Sequence, residues 1–270
     1  MKSIFYVLLF SIVISACQQK DSEKTLVPRP LTANENFNQF SKDKKAGLAI
    51  FQNKDSAITK RADRVPNASY HVKLGDTAIS IQMDPNDKNA VVNTFSFAEF
   101  LNTQKTCLLV QVADNSGLVA PFYLITLKDD QLEAVTLYRA SNGKNDKKFT
   151  KGLDVIGRSA YIINNDYVLK RVDSKIYTIK RQNPDERIQG TFFINSPDKE
   201  TIIFMLASSL YEVHYPSGTV YNQPLPANRP AAPAIYKWIQ DNYSWQRNES
   251  GISFLKKNVD DNRIINIEDF

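Results

Sequence analysis

Cysteine and histidine are almost missing from this 270-residue chain: it has two of each, with two tryptophans and nine glycines. Two cysteines cannot staple a disulfide-dense scaffold or build a four-thiolate zinc site. The histidines, His71 and His214, each lie inside a strand-like run, so no His-Glu-x-x-His metal helix exists. There is also no Gly-x-Ser-x-Gly elbow, no phosphate-binding glycine loop and no calcium loop. Ser-x-x-Lys recurs at Ser41/Lys44, Ser141/Lys144, Ser196/Lys199 and Ser253/Lys256 without companion motifs, so that spacing carries no chemistry alone. No catalytic residue, metal ligand or cofactor is assigned from these patterns. Excess charge is scarce too, at a net +5, and no nucleic-acid reading follows from it.

What is present begins at the N-terminus. Lys2 precedes an apolar run, Ile4 to Ile14, broken only by Ser11 and followed by the small residues Ser15 and Ala16. That order reads as a secretory signal peptide over residues 1–16, and the run is well short of the ~20 residues a membrane-spanning helix needs. Ile14-Ser15-Ala16-Cys17 resembles the lipobox of bacterial lipoproteins. The resemblance implies cleavage before Cys17, lipid attachment to it and anchoring to a membrane. Gln18, standing where inner-membrane-retained members of that family often carry Asp, points to the periplasmic side of the outer membrane. One acyl chain binds marginally and several bind stably. With Cys17 lipidated, Cys107 has no partner in the chain, and its run Thr106-Cys107-Leu108-Leu109-Val110-Gln111-Val112 reads as a buried strand.

Residues 17–36 contain few apolar side chains and two prolines, so they read as the lipidated cysteine and a flexible tether. The remainder, 37–270, reads as one mainly β domain built as an antiparallel meander, open or sandwiched, with a few short helices. Tyr70 to Leu74 and Thr77 to Met83 alternate around Gly75-Asp76, the pattern of a tight hairpin. Ser96 and Glu99 form a capping box, flanked by Phe95 and Phe100, and predict a short helix from Phe97. Strand runs follow at 106–112, 121–127, 131–138, 159–164, 167–172 and 175–181, too closely spaced for parallel crossovers. Residues 191–218 form a strand, a Ser196-Pro197-Asp198-Lys199 turn, two strands and a Ser217-Gly218 turn. This stretch resembles a blade of TolB-like β-propellers and keeps a small propeller open as the alternative architecture. Four prolines between Pro224 and Pro233 predict an extended surface run, then a helix over about 233–246 carrying Ile235, Trp238, Ile239 and Trp245. The last strand-like pieces are Ile252 to Leu255 and Ile264 to Ile267.

Positive charge is concentrated. From Arg139 to Arg187 there are twelve Lys or Arg against six Asp or Glu. Lys144, Lys147, Lys148 and Lys151 fall in a predicted loop, while Lys170, Arg171, Lys180 and Arg181 fall on neighbouring predicted strands. Such a face draws in anionic partners, screened beyond roughly 8 to 10 Å at physiological salt. Solvation, or lysines guarding an edge strand, explains the same pattern without a ligand. The resulting expectation is a non-enzymatic lipoprotein that binds a protein or another anionic envelope partner, in one version as immunity against a periplasmic toxin. An envelope-assembly scaffold is a second version. A hydrolase of lipid or peptidoglycan, using His71 or His214, is the competing class.

Overall fold

The computed structural model describes residues 22–32, 35–38, 47–53, 69–113, 119–129, 131–141 and 151–258. The chain is mainly β, as its alternating runs predict. Its first half is one ten-stranded, curled sheet formed by β1 (Glu23–Leu26), β2 (Arg29–Pro30), β3 (Leu48–Asn53), β4 (Ser69–Leu74), β5 (Thr77–Asp84), β6 (Asp87–Val92), β7 (Phe95–Phe100), β8 (Cys107–Val112), β9 (Phe122–Lys128) and β10 (Gln131–Thr136). Its main path runs β1-β5-β4-β7-β8-β9-β10-β2.

The curl follows from the N-terminal segment. β1 pairs in parallel with β5, and β2 pairs in parallel with β10 at the far end of the path. Only Val27 and Pro28 separate the two strands, and residues span at most about 3.6 Å each, so the ends of the sheet must come together. The result is a half-barrel whose seam is sewn by residues 23–30. This corrects the tether reading for these residues. A seam needs backbone pairing and one ion-pair cluster more than apolar bulk: Leu26 is buried, while Arg29 bonds both Glu133 of β10 and Glu35.

The predicted hairpin is present, with Leu74 opposite Thr77 and Gly75 at φ +58°, the left-handed backbone that a primed turn needs first. The predicted helix from Phe97 is not. Residues 95–100 are β7, with Ser96 bulged between Phe95, opposite Val112, and Phe97, opposite Gln111. The supposed cap hydroxyl donates to the Val112 carbonyl (3.2 Å), and Glu99 is taken by Arg171 and Tyr161. Phe95, Phe97 and Phe100 gain more by packing on a sheet than local capping, worth ~1 kcal/mol, can return.

Inside the half-barrel lie Ile79, Ile81, Phe95, Leu108, Val110 and Ile125, among others. The other face of β8 and β9 presents Cys107, Leu109, Phe122 and Leu124 to a second sheet, so both strands are buried on both sides. That explains the unbroken apolar run around Cys107. Burial pushes the Cys107 thiol up to about 12, leaving it un-ionised.

The second sheet is β11 (Leu153–Ile156), β12 (Ala160–Ile163), β13 (Tyr167–Lys170) and β14 (Ile176–Thr178), an antiparallel meander. Tyr161, Ile163 and Leu169 face the half-barrel, and Ala160, Ile162 and Val168 face a third sheet. That sheet is β15 (Thr191–Asn195), β16 (Thr201–Met205), β17 (Ser209–His214) and β18 (Thr219–Pro224), joined by the predicted Ser-Pro-Asp-Lys and Ser-Gly turns. Phe204 and Tyr211 pack inward on the second sheet, whereas Ile203 and Leu210 pack outward on α1 (Ile235–Asn242) and the hairpin of β19 (Tyr243–Arg247) and β20 (Ser253–Lys257). The helix is shorter than 233–246 because Tyr243 turns extended (φ −131°) to enter the hairpin, carrying Trp245 onto β19 while Trp245 still packs in the same cluster. Four layers therefore stack in chain order. No helix among the described residues is long and apolar enough to cross a membrane.

Candidate functional site

Cys17 and the lipobox-like stretch before it, Lys144, Lys147, Lys148 and the piece Ile264 to Ile267 lie outside the described residues. The other sequence-predicted cations separate into two groups. Arg181 is buried, with Nε donating to Asp166 Oδ1 (2.9 Å) and its terminal nitrogens donating to the carbonyls of Ala140 (2.9 Å) and Arg139 (2.8 Å). Lys151 Nζ donates to the carbonyls of Ile188 (3.0 Å), Gln189 (2.9 Å) and Gly190. Arg171 pairs with Glu99 and lies 5.0 Å from the Tyr161 ring centre. These three hold the half-barrel and the two four-stranded sheets in place. Arg181 is thus removed from the predicted surface patch, because desolvation of a guanidinium requires the carboxylate and carbonyls found around it.

Lys170 and Lys180 remain at the surface, and Lys175 joins them. The turn between β13 and β14 organises Lys170 and Lys175. Ser174 adopts φ +51°, Lys170 N–H donates to the Lys175 carbonyl (2.9 Å), and Asp173 Oδ1 accepts the Lys175 N–H (3.1 Å). Side chains alternate across β14, so Ile176 enters the core while Lys175 and Tyr177 share the outer face. The ammonium groups of Lys170 and Lys175 lie 5.9 and 5.0 Å from the Tyr177 ring centre, and that ring packs on Tyr215 at 5.0 Å. The Tyr177 hydroxyl raises the Lys175 pKa, so its charge is secure.

Beside Tyr177 is a cavity of about 280 Å³ lined by Glu35, Asn36, Asn38, Asp173, Lys175, Ile176 and Tyr177. Backbone bridges place its walls: Asn36 opposite Lys175, and Asp173 opposite Asn102. Burial pushes the Glu35 carboxyl up, but hydrogen bonds from Arg29 and Thr32 outweigh this and hold it at about 2. Asn38 N–H donates to Asn36 Oδ1 (2.9 Å), and Asn38 Oδ1 is occluded with no hydrogen-bond partner among the described residues. The sequence reading missed Asn36, Asn38, Asp173, Lys175 and Tyr177. Lys175 and Tyr177 alternate within a recognised strand run, but Asn36 and Asn38 sat at the edge of the supposed tether.

The two histidines are in different sheets. His71 Nδ1 lies 3.0 Å from the Asn93 carbonyl. His214 Nδ1 lies 2.7 Å from Ser217 Oγ, and its Nε2 is 3.6 Å from Glu200. Ser217 is three residues on, in the β17–β18 turn, and its oxygen also accepts the Thr219 N–H (3.2 Å). Among the described residues, no group of three or more His, Cys, Asp or Glu could hold a metal ion.

No family model matches the chain, and no curated protein sequence matches it.

Proposed function

We propose that this protein is an outer-membrane lipoprotein, lipid-anchored through Cys17 on the periplasmic side, whose β domain binds an anionic macromolecular partner. The observation that carries the binding reading is the pair Lys170 and Lys175 around Tyr177, with Lys175 at the edge of a cavity and Lys180 exposed just beyond β14. The anchor rests on the resemblance of Ile14 to Cys17 to a lipobox. A toxin delivered into the periplasm and an envelope-assembly component are the two kinds of protein partner that suit such a face.

Pull-down with the full chain tests the face. Replacing Lys170, Lys175 and Lys180 together by Gln is expected to weaken capture about tenfold and to flatten its salt dependence, because exposed charges act mostly through screened encounter. Unchanged recovery at every salt concentration would refute it. For the anchor, Cys17→Ser is expected to leave the outer-membrane fraction, and normal fractionation would overturn that part.

The hydrolase reading is favoured by one contact, His214 Nδ1 to Ser217 Oγ at 2.7 Å with Glu200 beyond it. Ser217→Ala abolishes any hydrolysis that depends on that hydroxyl and leaves partner capture unchanged.

A further inference from the structure

The seam leaves little chain between Cys17 and the folded domain. β1 begins at Glu23, and the Ser22 carbonyl already accepts the Ala78 N–H (2.7 Å). A chain extends at most about 3.6 Å per residue, so Ser22 stands within about 18 Å of Cys17. A lipid on Cys17 therefore brings one particular end of the half-barrel to the bilayer.

Contacts around Ser22 trace that end as a rim. Ser22 Oγ lies 2.7 Å from Thr77 Oγ1 at the β4–β5 turn, and Leu74 on the other side of that turn stands opposite Leu48, the first residue of β3. Leu48 N–H donates to the Lys105 carbonyl in the β7–β8 turn (3.2 Å), and Asn102 of the same turn bridges Asp173 in the β13–β14 turn. The Thr106 carbonyl accepts the Leu127 N–H (2.8 Å), which brings the β9–β10 turn to the same rim. β1, β3, β5, β8 and β10 all start here and run away from it, so the β5–β6 turn lies about 25 Å off.

Charge is uneven along this rim. Lys73 and Asp76 balance at the β4–β5 turn, as do Lys128 and Asp129 at the β9–β10 turn. Where the β7–β8 and β13–β14 turns meet, Lys105, Lys170 and Lys175 stand against Asp173, while Arg171 and Glu99 neutralise each other. Lys105 and Lys175 are exposed, and Val172 of the same turn is 71% exposed. Cations beside an exposed aliphatic side chain match a surface that offers phosphates outside and acyl chains beneath.

We propose that this rim is the face the domain turns to the bilayer, with Lys105, Lys170 and Lys175 resting on anionic phospholipid headgroups. The proposal rests on the anchor reading above and names lipid phosphate as an anion that Lys170 and Lys175 meet.

Full-length protein, lipidated on Cys17 and reconstituted into phosphatidylethanolamine vesicles with or without phosphatidylglycerol, tests this. Cys107 is buried, so a cysteine introduced at exposed Thr103 on the rim, or at exposed Asn86 in the β5–β6 turn, takes a fluorophore that quencher-labelled headgroups can reach only at short range. Quenching is expected at Thr103→Cys and not at Asn86→Cys, and it falls when salt is raised or phosphatidylglycerol is left out. Replacing Lys105, Lys170 and Lys175 by Gln lowers the ratio of docked to undocked protein about fivefold per lysine, and unchanged thermal melting excludes misfolding as the cause. Equal quenching at the two sites overturns the proposal, and so does quenching at Thr103→Cys that ignores both lipid charge and the three substitutions. If the substitutions abolish capture of a protein partner but leave quenching as it was, the corner serves that partner and the lipid contact is overturned. Absence of acyl chains on Cys17 by mass spectrometry refutes the anchor reading itself and takes this inference with it.

Discussion

The two four-stranded sheets are built alike, each an antiparallel meander packed on both faces, and each hides one carboxyl: Asp166 in the first, Glu212 in the second, both 0% exposed. Their surroundings differ. Asp166 closes the β12–β13 turn beside Asn164 and Asn165, both at φ +58°, and faces the Arg181 guanidinium at 2.9 Å. Glu212 lies under β20 and accepts only the Leu255 N–H (2.8 Å) on Oε2, with Oε1 unpartnered among the described residues. Burial pushes both carboxyls up; at Asp166 the Arg181 guanidinium opposes this, although the carboxyl still stands above its ordinary value. At Glu212 the Leu255 N–H and the more distant Lys256 do so weakly, and the carboxyl stands at about 8. A buried acid with a guanidinium knits segments together. One without a cation sits neutral at pH 7 and makes its layer sensitive to pH.

The largest test removes the cation from the first sheet. Arg181→Ala strands Asp166 and frees the carbonyls of Arg139 and Ala140, and is expected to cost about 3–5 kcal/mol in urea unfolding. A loss below about 1 kcal/mol would erase the contrast. Next is the pH dependence of the second sheet. Because the folded pKa of Glu212 is raised from 4.5 to about 8, the unfolded chain gives up its proton first. Stability from this group is therefore full below about 4.5 and is lost as pH rises through 8, about 2 kcal/mol of it between pH 6 and 8. Glu212→Gln should flatten that slope. Both tryptophans, Trp238 and Trp245, belong to the layer docked over Glu212, so their fluorescence reports its release directly. An identical slope in the variant would show that the titration lies elsewhere.

A smaller effect is expected at the join between the two sheets. The Gly190 carbonyl receives Lys151 Nζ and Asn165 Nδ2 (2.8 Å), and a Cβ there would stand 2.8 Å from the Met205 carbonyl oxygen. Gly190→Ala should cost about 1–3 kcal/mol by displacing backbone, measured as a lowered urea midpoint. Smallest of all, replacing Lys180 by Gln should change stability by less than ~0.5 kcal/mol, since it is exposed. A larger loss would mean that Lys180 supports the fold as Arg181 does.

Much of the strand pattern was legible because it is local. Gly75-Asp76, Asn164-Asn165 and Ser196 to Lys199 announce turns by residues that tolerate left-handed or tight backbone, and each joins two strands here. Misreadings arose where a local signal met a stronger distant partner. Ser96 and Glu99 spell a helix cap, yet the hydroxyl goes to β8 and the carboxylate to Arg171, 72 residues away. Residues 23–30 look uncommitted because their stabilisation is backbone pairing with β5 and β10, which leaves little hydrophobic trace. The site was half legible: Lys180 stands exposed and Lys170 lies half-buried beside Tyr177, but Asn36 and Asn38 line the cavity from the edge of the segment read as a tether.

By itself, the sequence determined a mainly β chain, the position of most strands and turns, and a lipobox-like start. These depend on alternation, turn chemistry and short motifs read over a few neighbours. The tertiary structure decided which cations are free to meet a partner. Lys180 and Arg181 are adjacent in sequence and alike in charge, but one side chain meets water and the other meets Asp166. What a charge does depends on what faces it, and that is set by packing between distant segments.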